Sequence, residues 1–442
     1  LVSVNVLILS MDSVGEGLPL AIRAAKHGHR VRLWLGDEAN QTTGDGFKGV
    51  DRVRAWLPSV RWSDLVIPTG NHEFMPKLDS LRRAGVRVFG PSQKSAALEI
   101  KRAEGMKFFE RAGIDVPEYE QFATLADAEK HVRKTERRYV FKTLGDEDDK
   151  SLSYASKSPA DMVARLQRWQ KLGLNPKGAV MLQEFIEGVE FGVSQWMGKD
   201  GFIGKPNCNF ERKKLMSGDL GPATGEQGTI MKYTDEHKLA DEVLYPLEDE
   251  LIKLGHLGDF DVNCIIDEKG KAWPLEPTSR LGWPAANIMW ACHKGDPVKW
   301  MADACDGQDT LEVSPQIACG VVLSQPDYPY SAKTKAETDG IPIYGVTDKN
   351  QQYIAPQSVK IVPQPVMNGE KLGEKPTWTT SGDYIAVVTG LGKTVTKACE
   401  RAYETIKELH VADGMYRDDL GEKLEKCIPE LQKHGYATEF TY

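Results

Sequence analysis

The sequence predicts a multidomain chain, α/β at its start and α+β beyond, and three observations carry that reading. Its 442 residues exceed what one hydrophobic core serves, so two to four domains are expected. Residues 4–10 (VNVLILS), a turn at Gly15 and Gly17, a helical stretch through Lys26 and the run 30–35 (RVRLWL) form a β-α-β unit. Two strands joined that way lie parallel. Past residue 115 helices and strands follow without that regular unit, and a β-rich stretch with clustered prolines follows residue 315.

The elements then fall in order. A strand at 65–68, a helix at 73–84 and a strand at 86–89 complete a doubly wound first domain over residues 1–92. Residues 94–112 keep helical spacing until Gly113, and Pro117 starts an extended segment. A helix at 127–135, a strand at 139–143, a loop at 144–150 and a helix at 160–172 make a small lid of about 115–185. Strands 179–185 and 189–197 flank Glu187-Gly188 as a hairpin. The lid belongs to a mixed region over 93–315, and a separate β-rich region with the helix 394–409 occupies 316–442.

Bulk properties exclude several classes. The net charge of −8 does not suit a general nucleic-acid surface, though a local phosphate pocket is compatible with it. No apolar run approaches the roughly 20 residues that span a bilayer. The apolar start (LVSVNVLILSMDS) lacks a basic leader and reads as a first strand. Seven cysteines without a C-x-x-C pair indicate a reducing, cytoplasmic setting.

The chemistry concentrates in two segments. Residues 211–228 (ERKKLMSGDLGPATGEQG) combine Lys213, Lys214, Asp219, Gly221, Pro222, Thr224, Gly225 and Gly228 in a polar, glycine-rich loop suited to covering phosphates. Residues 275–280 (LEPTSR) carry Glu276 on an apolar strand end, followed by Thr278 and Arg280. Asp261 lies on the preceding strand, and a hairpin turn brings two such carboxylates within reach of a divalent cation. Arg280 is a planar fork for phosphate or carboxylate. Lys142 projects from an apolar strand, and Lys150 follows across the acidic loop GDEDDK; both are candidate phosphate cations. Gln183, Glu184, Phe185 and Ile186 form a connecting segment able to meet an adenine edge, with Glu190 beyond it. Gly15 and Gly17 suit a tight turn or a phosphate loop at a helix start, short of a dinucleotide fingerprint.

With these residues in view the chain resembles the ATP-grasp ligases, and among them the phosphoribosylamine–glycine ligase family. The resemblance runs through 88–119, 183–195, 211–228, 265–284 and 382–421. It implies an ATP-grasp fold with a doubly wound domain before it and a β-rich accessory domain after it. It also implies an ATP-dependent carboxylate–amine ligase working through an acyl phosphate, with Mg²⁺ or Mn²⁺, acting on glycine and phosphoribosylamine as a monomer or small homo-oligomer. Lys142, Lys150, Gln183 to Ile186 and Glu190 then fall at nucleotide-binding positions. Glu276, Asp261 and Thr278 fall at the metal, and Lys213, Asp219, Thr224 and Arg280 at catalytic positions. Gly221, Pro222, Gly225, Gly228, Gly15 and Gly17 fall in substrate loops. The sequence departs from the family at GDEDDK, at Thr278 for asparagine, at Gly282-Trp283-Pro284-Ala285 for Gly-Asp-Pro-Glu, and at Gly15-Glu16-Gly17-Leu18-Pro19 for Gly-Arg-Glu-His-Ala. These departures imply two further readings: another amino acid joined to another amine, or a nucleotide-binding homologue without catalysis.

Overall fold

The computed structural model describes every residue except 1–2, 12–13, 38–40, 73, 145–152, 175–177 and 332–334. Its first sheet is parallel, in the order β3-β2-β1-β4, from β1 (Asn5–Ser10), β2 (Arg30–Leu35), β3 (Val50–Val53) and β4 (Leu65–Pro68). Both faces of β1 are covered: Val6 and Ile8 join the main core, while Leu7 and Leu9 join a second cluster with Trp56 and Leu78. That two-sided burial is why the strand reads as an unbroken apolar run. The helix Gly17–Lys26 buries Leu18, Leu20, Ala21 and Ala24 and places Arg23 and Lys26 in its last turn, where cations complement the dipole.

The expected helix over 94–112 is two helices, Gln93–Ile100 and Arg102–Arg111, parted at Lys101. Ser92 and Ser95 form a capping box at the first start. Gly105 lies against the Leu98 carbonyl, where a Cβ has no room, so the second helix packs closely on the first. The break aims Arg102 at the site described below.

A small antiparallel sheet, β5-β8-β6-β7, follows from β5 (Tyr119–Phe122), β6 (Tyr139–Thr143), β7 (Tyr154–Ala155) and β8 (Val180–Glu184). Helices Leu125–Thr135 and Pro159–Lys171 cover one face, and Leu125, Val132, Phe141, Leu166, Trp169 and Leu182 give this lobe a core of its own.

The large sheet has eight strands in the order β13-β12-β9-β10-β11-β14-β19-β16. They are β9 (Gly188–Gly198), β10 (Gly201–Met216), β11 (Leu220–Tyr233), β12 (Gly258–Asp267), β13 (Ala272–Thr278), β14 (Ile317–Ser324), β16 (Ile354–Pro356) and β19 (Tyr384–Gly392). Three expectations change here. Residues 211–228 are not a loop but the far half of the β10–β11 hairpin, turning at 217–219. β8 and β9 are not a hairpin pair: the chain at 185–187 crosses from the small sheet to the large one. Residue 315 separates no sheets, because β14 pairs with β11 and continues to β19. A three-stranded sheet of β15 (Asp339–Pro342), β18 (Lys371–Ser381) and β17 (Val359–Asn368) lies beyond, and the helix Val395–Glu408 packs on β14 and β19.

Candidate active site

The small lobe supplies one wall. In β6 and β8, Lys142 is opposite Met181 and Val140 opposite Gln183, so these four share a face turned away from the lobe's own core. Lys142 reaches the other lobe, its Nζ donating to the Leu275 carbonyl at 3.3 Å. Burial first, then the neighbouring Arg102 charge, brings its pKa down to about 7; Lys213 adds to this, while Glu276 and Glu190 oppose it. Gln183 is buried with its Nε2 unpartnered. Glu184 points the other way, into a cleft of about 760 Å³ shared with His131 and Arg137. Phe185 lies under the Arg138 guanidinium, 3.3 Å from its ring centroid, and donates its N–H to the Arg138 carbonyl at 3.1 Å. Ile186 follows, half-buried at the crossing. Lys150 lies outside the described residues.

The large sheet supplies the floor. Lys213 Nζ is 2.8 Å from Glu190 and 3.2 Å from Glu211. Burial opposes that ammonium, yet Glu190, Glu211 and Glu276 together hold its pKa well above the usual lysine value. Asn263 donates through Nδ2 to Glu190 at 2.7 Å and to Glu211 at 3.2 Å, leaving its buried Oδ1 without a partner. Glu276, 42 % exposed, is 3.4 Å from Arg102. Thr224 donates to the Lys213 carbonyl at 2.8 Å, bracing β11 on β10.

The register of β12 and β13 sorts the expected metal residues. Asn263 is opposite Glu276, and Asp261 is opposite Thr278. Asp261 is buried and accepts a hydrogen bond from Asn209 Nδ2 at 3.0 Å. Burial, Glu211 and Asp259 push its carboxyl well above the usual range. The Asn263–Glu276 pair lies one step along the two strands from the Asp261–Thr278 pair.

The hairpin tip is tied down. Arg417 is fully buried and holds Asp219 at 3.0 Å, Asp419 at 2.7 Å and the Lys214 carbonyl at 2.9 Å. Lys423 also pairs with Asp219. Ser217 donates to Asp418 at 2.6 Å, and Asp419 accepts the Gly218 N–H at 2.9 Å. Asp219 thus sits in an anchor with the C-terminal region, away from Lys142 and Glu276. Gly221 and Pro222 lie on the strand leaving the tip, and Gly225 has open space around it. Gly228 lies against the Gly320 carbonyl and Leu420, a packing position.

Gly17 is also packed, since a Cβ there would stand 2.8 Å from Ile8 Cγ2. Gly15 has φ +70° and faces Thr43 and the Gln357 carbonyl. Between them Glu16 is buried at the helix start and accepts a hydrogen bond from Thr69 Oγ1 at 2.8 Å. Arg280 is held by Glu99, Nε to Oε1 at 3.1 Å, and Glu99 also accepts from Asn71 Nδ2 at 2.8 Å and the Ser279 N–H at 2.9 Å.

The structure therefore gathers Lys142, Glu190, Lys213 and Glu276, and it adds Arg102, Glu211 and Asn263. The alternation Asp259, Asp261, Asn263 already placed Asn263 on the polar face of its strand; nothing local distinguishes Arg102 within its helix. Among the described residues, no three His, Cys, Asp or Glu side chains converge to hold a metal by themselves. None of the helices is long and apolar enough to cross a membrane, again among those residues.

Residues 104–255 match the family model of the phosphoribosylglycinamide synthetase ATP-grasp (A) domain. The chain is 27 % identical over 361 residues to a phosphoribosylamine–glycine ligase of Salmonella typhimurium, covering 78 % of this chain and 79 % of that relative. Among solved structures it is similar to the phosphoribosylamine–glycine ligase of Thermotoga maritima, with a TM-score of 0.71 and 21 % identity. That likeness covers 94 % of this chain and all of the other. It is also similar to the biotin carboxylase domain of the Hydrogenobacter thermophilus 2-oxoglutarate carboxylase, solved with ADP, MgADP and bicarbonate. There the TM-score is 0.63 at 13 % identity, covering 99 % of this chain and 96 % of that one.

Proposed function

We propose that this chain, which has the ATP-grasp fold and resembles the phosphoribosylamine–glycine ligases, is an ATP-dependent carboxylate–amine ligase. The reading rests on one observation above others: a lysine of the small sheet reaches the large sheet beside its Lys-Glu-Asn-Glu cluster at the crossing between the two. ATP transfers its γ-phosphoryl group to a substrate carboxylate, giving an acyl phosphate and ADP. An amine attacks the acyl carbon, phosphate leaves with the bonding pair, and the amine loses a proton as the amide forms. Glycine and phosphoribosylamine, giving glycinamide ribonucleotide, are the leading pair.

Lys142 and Lys213 sit across the triphosphate, with Gln183 and the 184–186 segment beside the base. Arg280 orients the acyl group from its Glu99 brace. Thr224 and the glycines of β11 keep the hairpin in register, and the anchored tip leaves closure to the small lobe. Lys142, Lys213 and Arg102 face Glu190, Glu211 and Glu276, so the described cluster is close to balanced before a nucleotide arrives. A triphosphate then brings excess negative charge, which a divalent cation offsets. Mg²⁺ held by one or two carboxylates and the phosphates fits that need, with Glu276 and the unpartnered Oδ1 of Asn263 as its protein ligands. When bound, such an ion neutralises charge on the transferring phosphoryl group.

The deciding assay is ADP release with Mg²⁺-ATP and glycine, with and without freshly generated phosphoribosylamine, and mass detection of the amide. Amine-dependent release with glycinamide ribonucleotide formed supports the leading pair. A second reading, another amino acid with another amine, is favoured by buried Glu16 at the helix start, where a substrate phosphate would meet a carboxylate. Nucleotide binding without release under those conditions favours it, and further amines are then tried.

The Lys142 environment gives a pH dependence. Its pKa is about 7 in the free protein, with Arg102, Lys213, Glu276 and Glu190 around it. Polyphosphate favours the charged form, so the pKa rises on binding. Nucleotide affinity is then highest below pH 7 and falls by about tenfold per unit above it, until the bound-state pKa is reached. Calorimetry at pH 8 in buffers of different ionisation enthalpy is expected to show uptake of about one proton, absent in Lys142→Met. Buffer-independent heats in the unsubstituted protein would refute this.

A further inference from the structure

A cavity of about 210 Å³ lies away from the nucleotide cluster, between the helix Gly17–Lys26, the helix Ala285–Cys292 and the edge strand β16. None of Lys142, Glu190, Lys213 and Glu276 lines it. Its lining mixes the apolar Ile22, Trp290 and Ile354 with Arg23, Asn287 and the basic residues Lys26 and His27, and among the described residues no Asp or Glu lines it.

Arg23 is the unusual member. Among the described residues it makes no ion pair; its Nη2 reaches the His293 carbonyl at 3.4 Å, and its buried Nε has no partner there. Burial lowers its pKa, and no carboxylate opposes that shift. A guanidinium stays charged regardless, so this half-buried cation keeps a buried Nε–H that a ligand oxygen can accept from. Asn287 is 3 % exposed, and both its Oδ1 and its Nδ2 lack partners. The Trp290 indole N–H is likewise buried and unpartnered. Unpartnered donors thus belong to residues that line one small cavity together with apolar side chains.

We propose that this cavity binds a small organic carboxylate, with Arg23 and Asn287 on the carboxylate and Ile22, Trp290 and Ile354 around its apolar body. The flat fork of a guanidinium matches two carboxylate oxygens. The volume falls below the roughly 300–1,000 Å³ of sites for drug-sized ligands, which selects a compact molecule. The ligand bridges a helix of the first domain and the helix that follows Arg280, so its binding ties those elements together independently of the nucleotide. The inference stands apart from the ligase reading and survives its failure.

Benzoate is the probe and benzamide its uncharged counterpart, followed by calorimetry and by thermal shift on the full chain. Benzoate is expected to bind saturably and raise Tm, while benzamide does neither. Arg23→Met is expected to weaken benzoate by at least about tenfold while its own unliganded Tm holds, because among the described residues no ion pair is lost. Ile354→Trp fills the cavity and is expected to abolish binding while leaving ADP release unchanged. If Arg23→Met does not fold, Ile354→Trp and Asn287→Leu decide. Absence of benzoate binding at about 10 mM, equal binding of benzamide, or undiminished binding by the folded variants overturns the proposal. So does inorganic phosphate displacing benzoate with equal affinity.

Discussion

Glu276→Gln is expected to lower ADP formation by roughly 10²–10³-fold while nucleotide binding persists. The substitution keeps shape and removes one negative charge from a cluster where Arg102 stands 3.4 Å away and Lys213 is already engaged by Glu190 and Glu211. The remaining cations still attract the triphosphate, so binding survives. What is lost is the one half-exposed carboxylate opposite the Asn263 oxygen, and with it the seat for a divalent ion. Raising the Mg²⁺ concentration should restore part of the rate. A variant releasing ADP within threefold of the parent would remove Glu276 from the metal assignment.

Arg417→Ala has the largest expected effect on stability, about 3–5 kcal/mol, because it strands the buried Asp419 and leaves the Lys214 carbonyl without its donor. Arg417 is fully buried and joins Asp219, Asp419 and the Lys214 carbonyl in one knot. Losing it frees the β10–β11 tip as well as the C-terminal segment. A fall in Tm of roughly 3–5 °C is expected by differential scanning fluorimetry, with new proteolytic cleavage near residues 217–220. Arg417→Lys should recover little, since one ammonium cannot span three acceptors. A Tm within about 2 °C of the parent would show that the knot contributes nothing net.

Local pattern made β1, β2, β4 and β6 legible, because apolar runs between turn residues leave few alternatives, but β3 went unread and the strand expected at 86–89 is a single bridge from Val88 to Val66. The 211–228 segment was misread for a physical reason. Its strands extend beyond the sheet, both faces are wet, and glycines and lysines there mimic a loop although the backbone pairs across. Glu187-Gly188 looks like a hairpin turn, because sequence shows where a strand ends but not which sheet receives the next one. Lys142 and Glu276 stood out as candidates because each is a charge on or beside an apolar strand, and Lys213 did so as part of the polar segment read as a loop. That Asn263 rather than Asp261 stands opposite Glu276 required the β12–β13 register, including its irregularity between Asn263 and Cys264. Arg102 belongs to the site only through a helix break that packing at Gly105 explains.

The small lobe's separate core has a consequence for how the molecule breathes. Leu125, Val132, Phe141, Leu166, Trp169 and Leu182 pack among themselves. A unit with its own interior can open and reclose as one foldon while the eight-stranded sheet stays intact. Its amides then exchange with solvent as a group, at a lower free energy than those of β9 to β14. A nucleotide gripped from both sides slows that exchange for residues it never touches, so occupancy of the cleft is written into the protection of helices Leu125–Thr135 and Pro159–Lys171.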